Sequence, residues 1–201
     1  MPFIHEHNLL FVHIPKCGGS SVIKKFNIDD NSLNSCYRHE EKFDYCDENE
    51  KDILFSPQHF TPSVIKRYYS GFFDLYKKFT IIRNPYTRSI SEYLFREKNI
   101  KEFNDFDFFI WWEKFLLSEC DHLLPQNLYF KEIDYDSVLK YESLEKDFND
   151  MCDMLKIPKG LPHINKSHLD SSSCVTLLSK RTKDFLYEIY RDDFTEFGYK
   201  S

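Results

Sequence analysis

The sequence predicts an α/β protein, a central parallel sheet flanked by helices. Three observations carry that prediction. Short, continuous apolar runs such as Leu9–Ile14 and Phe79–Ile82 read as strands buried on both faces. Segments with helical spacing of apolar residues alternate with them, which places strands side by side beneath covering helices. Cap-plus-proline pairs, Thr61-Pro62 and Asn84-Pro85, mark helix starts in the expected places.

Taken in order, Leu9 to Ile14 is the first strand, stopped by Pro15. Gly18-Gly19 make a loop, and Ser20 to Phe26 has helical character. From Asp29 to Asp52 the composition shifts to nine acidic residues against three basic, read as an irregular, solvated segment and a candidate flap. Ile53 to Ser56 is a second strand candidate. A helix follows Thr61-Pro62, with Val64, Ile65, Tyr68 and Tyr69 on its apolar face. Phe79 to Ile82 is the third strand, and the helix after Asn84-Pro85 is expected to run to about Lys98. Phe103 to Leu117 is an aromatic helix, Ser137 to Tyr141 a fourth strand, and Leu144 to Leu155 a helix. Pro158 to Ser173 reads as loop, and Leu177 to Tyr190 as the closing helix.

With 201 residues, the chain has the length of a single domain spanning 1–201, and it can bury a core without staples. It contains 17% aromatic residues and no alanine, so rings and long aliphatic groups must fill that core. A net charge of −6 and the lack of any basic run argue against nucleic-acid binding and against an anionic membrane surface. No apolar stretch is long enough for a membrane span. The N-terminal residues lack the pattern of a signal peptide, and the six cysteines form no C-x-x-C pair, so the expectation is a cytoplasmic protein with free thiols. Cys36 and Cys46 are the pair that export would allow to bridge.

Ligands in such sheets sit where strands end and helices begin. Lys16-Cys17-Gly18-Gly19-Ser20-Ser21 lies at that edge. Glycines let backbone amides approach an anion closely, Lys16 adds a full charge, and the serines add hydroxyl donors. This composition suits a phosphate or sulfate; the competing reading is a tight strand-to-helix turn. A Walker A loop places its lysine after the glycines, whereas Lys16 precedes them. A cysteine phosphatase loop needs an arginine six positions after Cys17, where Ile23 stands. The second informative string is Arg83-Asn84-Pro85-Tyr86-Thr87-Arg88-Ser89-Ile90-Ser91. Arg83 leaves the third strand at the same edge, and Ser91, two turns into the helix, could share an anion with it. The alternative is an Arg83–carboxylate pair, with Ser91 as plain helix surface.

Together the two strings resemble the sulfotransferases that use 3'-phosphoadenosine 5'-phosphosulfate (PAPS), whose fold is P-loop-like. The resemblance extends to the carbohydrate-sulfating branch through His122-Leu123-Leu124-Pro125-Gln126, the Lys140 to Phe148 stretch, His163 to Ser167 and the Tyr190 to Tyr199 ending. It implies that Lys16, Cys17, Gly18, Gly19, Ser20 and Ser21 bind the 5'-phosphosulfate, and that Arg83 and Ser91 bind the 3'-phosphate. It further implies in-line sulfuryl transfer to a carbohydrate hydroxyl, with Lys16 stabilising the leaving oxygen and no metal. His59, after the second strand candidate, is the proposed general base; the competing reading is a loop histidine bonded to backbone. His122 and His168 are rival bases and Glu142 a weaker one. The aromatic helix reads as core packing, with sugar stacking on an exposed Trp as the alternative. The negative charge favours a neutral or weakly charged glycan. Two other readings stand beside this one, a P-loop-like nucleotide kinase and a non-catalytic nucleotide-binding relative.

Overall fold

A computed structural model describes residues 3–28, 57–118, 120–164 and 169–201 of the chain. Among the described residues, one sheet runs in the order β1 (Phe3–Ile4), β2 (Leu9–Val12), β3 (Lys77–Ile82) and β4 (Ser137–Lys140). The pairs β2–β3 and β3–β4 are parallel, with Val12 opposite Thr80 and Ile82 opposite Lys140. All three parallel strands therefore deliver their following loops to one edge. All four β2 residues are buried, and each apolar side chain so placed contributes about 1.5–3 kcal/mol.

The sheet is mixed where a parallel one was expected. The two residues of β1 pair antiparallel with β2, Phe3 opposite Leu10. A two-residue strand is too short to show any period, which is why the sequence did not reveal it. The strand candidate at 53–56 and the acidic segment at 29–52 lie outside the described residues, as do Cys36 and Cys46.

The helices are α1 (Gly19–Lys25), α2 (Pro62–Leu75), α3 (Pro85–Arg96), α4 (Asp105–Phe115), α5 (Leu144–Leu155), α6 (Ser171–Cys174), α7 (Lys180–Ile189) and α8 (Arg191–Phe197). Asn84 caps α3 as its sequence predicts, its side chain accepting from the amides of Tyr86 and Thr87. Thr61 precedes α2 but does not cap it; its hydroxyl pairs with that of Ser63 at 3.0 Å instead. The expected 177–190 helix is α7, which starts at Lys180 and ends where the backbone leaves helical geometry at Tyr190; a further helix, α8, follows it. Within the expected 158–173 loop, Asp170 accepts from the amides of Ser172 and Ser173 and nucleates α6.

Two apolar clusters hold these elements. One lies around the sheet and takes in Phe11, Phe79, Phe60 and Phe148. The other joins α3, α4, α7 and α8 through Tyr93, Phe108, Trp112 and Tyr190. Phe108, Phe109 and Trp112 of the aromatic helix are buried, so its main use is core packing, while Phe106 stands 67% exposed.

Candidate active site

The loop after β2 is built around two glycines that no other residue replaces. Gly18 sits at φ +89°, a left-handed conformation that costs a side chain strain. A Cβ on Gly19 would lie 2.0 Å from Nε2 of His13, so the histidine ring occupies the space a side chain would need. Lys16 also has positive φ, at 65°. Its Nζ stands 3.7 Å from the ring centre of Phe95. Burial is the main force lowering Lys16 to about 8, and the nearby Arg83 and Arg96 charges add to it against the opposing pull of Glu92.

Arg83, at the end of β3, is 4% exposed and meets that loop directly. Its Nη1 donates to the Lys16 carbonyl at 2.9 Å, its Nη2 to Ser171 Oγ at 2.6 Å and its Nε to Thr87 Oγ1 at 3.0 Å. The guanidinium also lies 3.8 Å over the Tyr141 ring. The two strings thus meet at one sheet edge, and Arg83 pairs with hydroxyls and a carbonyl rather than with a carboxylate. Ser91 is half-buried farther along α3. Arg88, in the same string, is a brace: it donates to the carbonyls of Pro15, His122 and Leu124.

A second group stands beside the loop. Nδ1 of His59 lies 2.8 Å from Oδ2 of Asp121, and both side chains are about 5% exposed. The ring is 4.8 Å from that of His13 and 4.9 Å from that of His122. So His59 is a loop histidine whose ring bonds to a carboxylate rather than to backbone. Burial lowers its basicity, and the Asp121 hydrogen bond offsets part of that loss. His122 is held likewise, its Nδ1 2.8 Å from Oε2 of Glu92, while 16% of its side chain remains exposed. Burial alone would raise Glu92; hydrogen bonds and charge from His122 and Arg96, with Lys16, hold it at about 2 instead. With the His59 Nδ1–H donated to Asp121, Nε2 of that neutral imidazole is left as the acceptor.

Gln126 locks these parts together. Its side-chain amide accepts from the Arg83 amide at 2.9 Å and donates to the Arg83 carbonyl at 2.8 Å, while Cys17 Sγ donates to its Oε1. Burial pushes the Cys17 thiol up to about 12, so it is a packing group and not a nucleophile.

The sequence profile of the sulfotransferase family matches residues 3–200. The chain belongs to the sulfotransferase family. No curated protein and no solved structure matches it significantly. The family fixes the type of chemistry as sulfuryl transfer, which displaces the kinase reading. Within this sulfotransferase the structure brings Lys16, Arg83 and His59 to one sheet edge. His168 lies outside the described residues. Glu142 accepts from the Asn84 amide at 2.7 Å and from the Tyr199 hydroxyl at 3.1 Å, which makes it a strut between elements. Asp121 and Glu92 are the site residues that sequence reading missed. Asp121 adjoins the His122 string and was open to notice; Glu92 resembles any helix-surface acid until α3 is seen to bury it.

Proposed function

We propose that this sulfotransferase moves a sulfuryl group from PAPS to a hydroxyl of a neutral or weakly charged carbohydrate, with His59 as general base. The observation that carries the reading is the buried His59–Asp121 pair beside the Lys16 loop. A carboxylate on Nδ1 fixes the tautomer and leaves Nε2 ready to take the proton of an acceptor hydroxyl. Lys16, Gly18, Gly19, Ser20 and Ser21 are the residues to hold the 5'-phosphosulfate, and Arg83 with Ser91 the 3'-phosphate. The donor set fits an anion: Lys16 is half-buried and lowered in part by neighbouring cations, a state that a bound anion relieves. When bound, PAPS supplies the activated sulfuryl group. Lys16 and the loop donors then face the charge that grows on the leaving oxygen, and each such donor is worth about 3–4 kcal/mol.

Half-buried Trp111 and exposed Phe106 line a groove of about 350 Å³ between α3 and α4, an aromatic face that shares no residue with the Lys16–His59 group. The −6 charge disfavours a polysulfated chain.

A second reading makes His122 the base, favoured by its greater exposure. Transfer of radiolabelled sulfate from PAPS to a glycan panel separates the two. His59→Ala is expected to lose about 10²- to 10⁴-fold in transfer with binding of adenosine 3',5'-bisphosphate retained. Wild-type turnover in His59→Ala, with loss in His122→Ala, moves the role to His122. Stabilisation of the protein by ATP and not by the bisphosphate overturns the donor assignment.

A further inference from the structure

His59, Asp121 and His122 are far apart in sequence in one case and adjacent in the other, and no ligand spacing is visible in the chain. The fold gathers them. One potential ligand atom from each lies within 4.8 Å of those of the other two. A tetrahedral zinc ion with bonds of about 2.0–2.1 Å sets its ligands roughly 3.4 Å apart, so shifts of a fraction of an ångström to about one would close the set. Two of the three residues are buried, unlike the exposed acidic groups that cluster on any surface.

Two further observations point the same way. His122 donates from Nδ1 to Glu92, and Arg96 in turn holds Glu92 at 2.8 Å, so Nε2 of His122 is oriented from behind by a carboxylate. That arrangement is the usual outer support of a metal-bound imidazole. Beside it, Nδ1 of His13 is buried with no hydrogen-bond partner among the described residues, and its ring packs 4.8 Å from His59.

We propose that His59, Asp121 and His122 form a binding site for a zinc-class divalent cation, and that a cation held there withholds His59 from sulfuryl transfer. The binding half stands on geometry alone; the inhibitory half rests on His59 being the base. Zinc is bound without redox change, and any proton that His59 or Asp121 must shed goes to solvent.

The test is titration of the whole chain with zinc chloride against a chromophoric chelator, with cobalt(II) spectra alongside. One equivalent should bind. His122→Ala and Asp121→Asn should each weaken it by at least about tenfold, Glu92→Gln by about 10- to 100-fold as an outer-support residue, and Cys120→Ser should leave it unchanged. Unaltered affinity in both His122→Ala and Asp121→Asn overturns the site, as does a thiolate-to-cobalt charge-transfer band, which would place the ion on a cysteine. Zinc bound at these residues should abolish sulfate transfer until a chelator is added. If it binds there and transfer continues, the inhibitory half is overturned together with the base assignment, while the cation site stands.

Discussion

Lys16 carries a full charge in a place that resists it. Burial and the neighbouring Arg83 and Arg96 bring it to about 8, below an ordinary lysine. An anion bound to the loop must therefore protonate Lys16 when the free protein has lost that proton. Above about pH 8, the dissociation constant for adenosine 3',5'-bisphosphate should rise by up to about tenfold per pH unit. Isothermal titration across that range checks it, and a flat profile would remove Lys16 from the anion site. The proton count is legible in coordinates and invisible in sequence, because the sequence shows a lysine before two glycines but not the Phe95 ring beneath it. His59 is a similar case. Its position after an apolar run suggested an edge residue; the carboxylate that orients it lies 62 positions on and comes into reach only when the chain folds.

At the level of elements, α3 does most of the assembling. Its cap Asn84 donates its amide to Glu142, its buried Arg88 reaches both the loop at Pro15 and the 120s segment, and its Glu92 holds His122. Arg88 alone spans two loops through three backbone carbonyls and lies 5.6 Å from the Tyr190 ring. Arg88→Met keeps some of the stem packing but leaves those carbonyls and nearby buried Asp193 without their cation. The cost should be about 3–5 kcal/mol, a drop in Tm of roughly 6–20 °C. Calorimetry measures it, and a shift of under a few degrees would mean that the brace is dispensable. The Asn84-Pro85 start of this helix was readable because capping is local chemistry. Which of its faces meets which loop was not, since every face of α3 carries buried residues and the helical period alone names no single core side.

Across the whole molecule, buried ionisable groups set how the fold responds to acid. His13 and His59 titrate below 6.5 in the folded chain, mainly through burial. The unfolded chain then binds more protons than the folded one below about pH 6.5, so stability present at neutral pH is lost as the pH falls. Glu92, held at about 2 against an ordinary 4.5, extends the loss to lower pH. Asp193 works in the opposite sense, since burial pushes its carboxyl up and protonation relieves it. Tm should therefore decline from about pH 7 to 5, and replacing His13 by an uncharged residue of similar size, His13→Gln, should flatten that slope. A Tm that rises or stays level over the interval would show that these imidazoles are not buried neutral.

The chain itself determined the α/β class, the parallel core strands, the glycine loop and the two strings that mark the family, because strand burial, helix capping and loop conformation are encoded within a few neighbouring residues. Only the tertiary structure decided that β1 turns antiparallel, that a further helix follows Tyr190, and that three histidines and two carboxylates meet beside Lys16. Those outcomes depend on contacts between residues tens of positions apart, where burial and electrostatics act through space and leave no periodic trace along the chain.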